Sequence, residues 1–167
     1  MFDLFNIGDK IVYPIQGAGI IDVIEEKEFK GEMRTYYNIS LINNSMKLML
    51  PSNKAENSNM RLISNSSTLD NILLHLNDYS IPKNNINKSN SKERLEANTQ
   101  KIKSGSLEEL VEVIVSLSDL KKEHPLNSSE NQLFLKAKRL LIDEMCLVKN
   151  ITKSEADAML DEKLKLA

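Results

Sequence analysis

The sequence predicts an α+β protein in two parts, a small, strongly bent β-sheet or barrel followed by an all-α helical bundle. Short runs of β-branched and aromatic residues separated by turn residues extend to about residue 63. From Ser67 onward, apolar residues recur at helical spacing. Six of the eight aromatic residues lie between Phe2 and Tyr37, where a compact β core needs them. We therefore expect a β domain over residues 1–64, a connecting helix and loop over 65–90, and a helical domain over 91–167.

The β part reads as four or five short strands. Ile11 and Tyr13 begin the first run, and residues 20–24, 34–42 and 46–51 form the next ones, with a turn at residues 43–45. Four of the five glycines lie between residues 8 and 31, which is unusual for strands. We interpret Gly17 and Gly19 as the positions that allow a sharp bend, and Gly31 as the closure of a hairpin.

The helical part is predicted from apolar stripes headed by capping boxes. A serine or threonine is followed three residues later by an acidic residue at Ser67 and Asp70, Ser106 and Glu109, and Thr152 and Glu155. A further helix is expected from about residue 91 to residue 103, closed by Gly105. Whether the helix near residues 69–77 packs with the β part or the α part stays open at this point.

Composition bounds the class of protein. The chain has 167 residues, a net charge of −2 and 41% hydrophobic residues, which suits a globular protein with real cores. Its single cysteine, Cys146, excludes an internal disulfide and fits a reducing compartment. No apolar run approaches the length of a membrane span, and the first residues lack the pattern of a secretory signal. We expect a cytoplasmic protein without a membrane partner.

Enzyme signatures are missing from the sequence. His75 and His124 have no neighbouring acid and nucleophile, and Cys146 falls within the apolar pattern of a helix. No set of cysteines and histidines has zinc spacing, and the Gly17–Gly19 pair lacks the third glycine and the following helix of a nucleotide fingerprint. We therefore predict no catalytic residues, no metal, no cofactor and no small-molecule substrate.

The charge distribution is more informative than the total charge. Residues 83–103 carry six basic and two acidic residues, a local charge of +4, and asparagine and serine donors are interleaved there. A second basic cluster comprises Lys136, Lys138 and Arg139. Two interpretations remain open, a solvated helix face or a set of phosphate contacts.

Several spaced motifs identify a resemblance. The stretch from "FNIGDKIVYPIQGAGII" through "EFKGEMRTYY" to "MKLMLP" resembles the N-terminal module of the CarD family of bacterial transcription regulators. The helical part, with "LEANTQKIKSGSLEEL" and "LFLKAKRLLIDEM", resembles the helical domain of that family more loosely. The resemblance implies a Tudor-like β module that binds the β subunit of RNA polymerase. It also implies a helical domain that contacts promoter DNA at the upstream edge of the melted region and changes the lifetime of the open complex.

The resemblance also carries over residue by residue. The polymerase-facing basic position falls on Lys27, with Phe29 two residues on along the same strand face. A second polymerase-facing position, arginine in some relatives, falls on Met49, and Lys47 on the same face is the alternative source of charge. The candidate DNA-contacting residues combine family positions with the basic cluster: Lys88, Asn90, Ser91, Lys92, Arg94, Lys136 and Lys138.

One departure from the family pattern affects the expected mechanism. Many members insert a tryptophan into the minor groove before the first helix of this domain, whereas this chain has no tryptophan, and the matching position is Ser91 or its neighbour Asn90. Serine can donate a hydrogen bond but cannot wedge a base step apart. We expect DNA contact without the wedge, weak on its own and dependent on polymerase. The alternative is an adaptor whose helical domain binds another protein.

Overall fold

The computed structural model describes residues 4–43, 46–80 and 90–166, and it confirms the α+β organisation. Five antiparallel strands form one sheet in the order β4-β3-β2-β1-β5. The strands are β1 Lys10–Tyr13, β2 Gly17–Phe29, β3 Glu32–Leu41, β4 Lys47–Pro51 and β5 Arg61–Leu62. A short helix, α1 (Ser52–Asn57), connects β4 to β5. Ile11, Ile21, Tyr37 and Ile39 are buried on the inner face of the sheet.

Two of these glycines occupy positions where other residues would be unfavourable. Lys30 and Gly31 both have positive φ and form the two-residue turn between β2 and β3, the backbone that a type I′ hairpin requires. Gly19 is needed because the neighbouring strand passes close to it: a Cβ at this position would lie 2.6 Å from the carbonyl oxygen of Ser40 on β3. A β-bulge between Ile21 and Val23 adds to the bend.

Six helical segments of the described residues pack around a second core. They are α2 Ser66–Leu74, a 3₁₀ helix Leu76–Tyr79, α3 Ser91–Lys103, α4 Leu107–Glu123, α5 Ser128–Lys149 and α6 Lys153–Leu166. Leu69, Ile72 and Leu73 of α2 belong to this helical core. The helix near residues 69–77 therefore packs with the α part.

Of the three predicted capping boxes, two have the expected N-cap residue, and in the third the N-cap is a different residue. The Ser106 hydroxyl accepts from the backbone N–H of Glu109 at 3.3 Å, and Thr152 Oγ1 accepts from that of Glu155 at 3.2 Å. In α2, however, the cap is Asn65, whose side-chain oxygen accepts from the N–H of Thr68 at 2.7 Å. Asparagine two residues earlier is at least as good a cap as serine, so the helix begins before Ser67.

A polar cluster joins the sheet to the helices. Arg61 of β5 donates to both carboxylate oxygens of Glu144 on α5, at 2.9 and 2.7 Å, and to the carbonyl of Gly105 at 2.6 Å. The backbone N–H of Ser64 also donates to Glu144, at 2.9 Å. Burial disfavours the charge of Glu144, but these hydrogen bonds and the Arg61 charge hold its pKa below the usual range. We call these four residues the interdomain lock.

No helix in the described ranges has both the length and the apolar content needed to cross a membrane.

Candidate functional site

The outer face of the sheet gathers the candidate polymerase-facing residues. The register pairs Lys27 with Arg34, and Asn38 with both Val23 and Met49. Directly opposed residues of antiparallel strands point to the same face. This outer sheet face therefore carries Lys27 and Phe29 from β2 and Lys47 and Met49 from β4.

Lys27 lies at the centre of this face. Its Nζ is 3.9 Å from Met49 Sδ and 3.4 Å from Glu25 Oε1. Glu25 also accepts a 2.7 Å hydrogen bond from Asn38 Nδ2, and that bond, followed by the charge of Lys27, lowers the pKa of Glu25. The structure thus brings two of the four predicted residues into direct contact.

Phe29 extends the apolar part of this face toward the hairpin turn. Its ring is 46% exposed, and Arg34 and Lys30 place their cationic groups 5.1 and 5.4 Å from the ring centre. Met49 and Val23 are 49% and 44% exposed. Large apolar side chains beside cations on an open sheet are typical of a protein-binding surface. Val23 and Arg34 were not predicted, although the alternation of the strands and the Gly31 turn would have placed them on this face.

The start of α3 carries the next group of candidate residues. Asn90 is the N-cap, and its side chain accepts from the N–H of Glu93 at 2.8 Å. Ser91 and Lys92 follow it and are exposed. Lys88, together with Lys83 of the same basic stretch, lies outside the described residues. Among the predicted DNA-contacting residues that the structure describes here, Asn90, Ser91 and Lys92 are all exposed, and the Asn90 side chain is engaged in the cap.

Arg94 has a role inside the protein that the charge pattern did not reveal. Its Nε and Nη2 donate to the carboxylate of Glu130 on α5, at 2.9 and 3.3 Å, and the Glu130 side chain is 1% exposed. Breaking a buried ion pair is costly, so this guanidinium holds α3 against α5. This geometry does not support the interpretation of Arg94 as a free phosphate-contacting residue.

Lys136 and Lys138 are two residues apart on α5 and so point in different directions. Lys138 Nζ is 2.7 Å from Asp161 Oδ1 and 3.9 Å from Asp157 Oδ1, and its side chain is mostly buried. Lys136 is half-buried. The structure therefore does not place these lysines on one common surface.

Neither part of the described chain shows a catalytic or metal-binding arrangement. No group of three histidine, cysteine or acidic side chains within the described ranges is placed to hold a metal ion. His75 Nδ1 lies 2.9 Å from the carbonyl of Asn71, and His124 Nδ1 lies 3.0 Å from that of Pro125. Burial raises the pKa of the Cys146 thiol, which is the opposite of what a nucleophile needs.

Comparison with known proteins agrees with both halves. Residues 5–64 match the family model described as "CarD-like/TRCF RID domain", and residues 80–161 match "CarD, C-terminal domain". The chain is also 39% identical over 157 residues to the Bacillus subtilis (strain 168) protein named "Putative transcription factor YdeB". That match covers 91% of this chain and 97% of the relative.

The two family models and the relative named as a transcription factor define the class of protein as a transcription-factor family with a CarD-like/TRCF RID domain. The chain belongs to the CarD family.

Proposed function

We propose that this protein is a cytoplasmic, non-enzymatic transcription regulator that binds the β subunit of RNA polymerase through its Tudor-like β domain. Its helical domain then contacts promoter DNA near the upstream edge of the open-complex bubble and modulates the stability of the open complex. The observation that carries the proposal is the outer sheet face, where Lys27, Phe29 and Met49 lie together and exposed on a domain that matches the CarD-like/TRCF module.

The two domains have to act as one unit for this mechanism. The interdomain lock fixes α5 and the end of α3 to β5, so polymerase binding by the sheet also positions the helical domain. Tethering to polymerase raises the effective concentration of the helical domain at the promoter to roughly the millimolar range, as a short linker does. Weak intrinsic DNA affinity is then sufficient.

Lys27→Glu is expected to weaken binding to RNA polymerase by about tenfold or more, because it reverses the central charge of the outer sheet face. The measurement is a titration of fluorescently labelled protein with the cognate polymerase. Lys54→Glu is the matched control: Lys54 is exposed on α1, whose Ala55 packs into the inner core of the sheet. Equal affinities for the two variants would contradict the assignment of this face.

Ser91→Trp is expected to lengthen the open-complex lifetime at least severalfold, because it restores an aromatic side chain at the start of α3, where base stacking contributes about 1–3 kcal/mol. The lifetime is measured by challenge of preformed complexes with a competitor. Ser66→Trp is the control, since Ser66 is likewise the exposed first residue of a helix capped by asparagine. An unchanged lifetime for Ser91→Trp would show that Ser91 does not occupy the wedge position.

A second candidate function is supported by the internal pairing of Arg94 and Lys138. Because both cations already have buried or half-buried carboxylate partners, fewer charges remain for DNA at the predicted positions. In this second function, the β domain holds polymerase and the helical domain binds another protein. Loss of the promoter effect on combined Lys88→Gln and Lys92→Gln substitution, with polymerase binding intact, favours DNA contact over this adaptor.

A further inference from the structure

Four helix ends meet at the end of the helical domain away from the sheet, which we call the distal end. Glu130 at the start of α5 pairs with Arg94 near the start of α3. Residues 124–127 and 150–152 connect α5 to α4 and α6, so these neighbours run antiparallel to it. The last turns of α4 and α6 therefore lie beside the first turns of α5. From Glu130 to Glu144 of the interdomain lock, α5 rises about 21 Å.

A surface groove at the distal end is lined by an excess of lysines. Lys121 and Lys122 come from α4, Lys138 from α5 and Lys165 from α6, while Asp161 is the one acidic side chain of the lining. Phe134 and Leu164 form its apolar floor, and the groove has a volume of about 420 Å³. We call this feature the lysine groove. Its lining carries a net charge of +3.

The four lysines differ in whether their ammonium groups have partners within the protein. Lys138 is paired with Asp161 and Asp157, and Lys122 donates to the carbonyl of Leu164 at 3.0 Å. Lys121 and Lys165 are exposed, and no carboxylate of the described residues lies within ion-pair distance of either. These two cations are therefore available to an external anion.

The ring of Phe134 contacts two of the lysine side chains. The Nζ atoms of Lys121 and Lys138 lie 5.7 and 5.6 Å from the centre of its ring. Contact with an aromatic ring restricts an exposed lysine and lowers the conformational entropy that it loses on binding. The groove takes one of the two exposed cations from α4 and the other from α6, and two separate cations along an open groove suit a chain of phosphates.

We infer that the lysine groove contacts the sugar–phosphate backbone of promoter DNA, with Lys121 and Lys165 as its main contacts. The inference rests on the proposed function, because it extends the DNA-facing surface from Ser91 and Lys92 across the distal end. Phosphate contacts position a protein on DNA without reading its sequence. They supply affinity that the absent tryptophan wedge does not.

The test is the salt dependence of DNA binding by the full-length protein with Lys121→Gln and Lys165→Gln combined. Binding to a labelled promoter duplex is followed by fluorescence anisotropy over a salt series. Removal of two phosphate contacts is expected to reduce the slope of log K against log salt by about 2 and to weaken binding about tenfold or more at low salt. The control removes two exposed lysines elsewhere, Lys54→Gln with Lys103→Gln.

The outcomes separate this inference from the proposed function. Polymerase affinity should not change in the Lys121 and Lys165 variant, because the outer sheet face is intact. An unchanged slope, while Lys92→Gln still weakens DNA binding, would overturn the groove assignment and leave the proposed function standing. If the variant binds DNA normally but loses an acidic protein partner, the groove serves that partner and the inference is wrong. If the wild-type protein contacts no DNA even when it is bound to polymerase, both the groove inference and the proposed function are wrong.

Discussion

Replacing Arg61 by alanine is expected to lower the free energy of unfolding by about 3–5 kcal/mol, because it leaves the Glu144 carboxylate buried without its cation. The Glu144 side chain is 0% exposed, and its other hydrogen bond in the lock is the one from the Ser64 N–H. Arg61 also donates to the carbonyl of Gly105, so the same change frees the end of α3. Urea denaturation at neutral pH measures the effect.

Lys101→Ala is the matched control for Arg61→Ala. Lys101 pairs with Glu112 at 3.1 Å, but both side chains are about two-fifths exposed. Exposed pairs contribute about 0–1 kcal/mol, so this control should hardly change stability. A similarly small loss of stability for Arg61→Ala would contradict the interdomain lock.

The interdomain lock also predicts a functional effect of Arg61→Ala. The variant should keep its affinity for polymerase but lose its effect on open complexes, because the helical domain is no longer held in place.

Asp143→Asn is expected to stabilise the protein at pH 7.5 by about 3 kcal/mol, because the buried carboxylate is unfavourable when charged. Asp143 is 0% exposed, and neither of its oxygens has a hydrogen-bond partner among the described residues. Burial raises its pKa to about 6, against the opposing charges of Lys153 and Arg139. The carboxylate faces Gly17, where a Cβ would lie 3.1 Å from Asp143 Oδ2.

The sign of the pH dependence follows from this raised pKa. Below about pH 4 the carboxyl is protonated in the folded and unfolded states, and the variant and the wild type should be similarly stable. Between about pH 4, where the unfolded carboxyl ionises, and about pH 6, where the buried one does, the wild type alone loses stability, and above this window the difference stays constant. Denaturation at pH 4, 6 and 7.5 checks this pattern. Asp157→Asn, at an exposed site, should show no such trend, and an equal trend in both variants would contradict the assignment.

Most of the fold could be predicted from local sequence patterns. The hairpin turn at Gly31 and the caps at Ser106 and Thr152 depend on residues within a few positions, and they were predicted correctly. The cap of α2 was missed because asparagine and serine compete for the same role at neighbouring positions. The placement of α2 in the helical core depends on long-range packing, which periodicity alone does not encode.

The candidate sites show the same limit. Alternation along strands put Lys27 and Phe29 on one face, and the sheet register brought Met49 to Lys27. The charge pattern could not distinguish free from paired cations, since the partner of Arg94 lies 36 residues away on α5. The lysine groove was not predicted either, because its lysines come from three helices whose ends meet at the distal end.

The most direct test of the central claim is promoter-DNA cross-linking of the helical domain in the presence and absence of RNA polymerase, at physiological salt. A photo-crosslinker placed at Lys92 reports the contact. Cross-links are expected near the upstream edge of the bubble when polymerase is present, with almost none in its absence, and they should be lost in Lys27→Glu but not in Lys54→Glu. Strong cross-linking to DNA without polymerase, or an undiminished signal in Lys27→Glu, would contradict the claim that the outer sheet face delivers the helical domain to DNA.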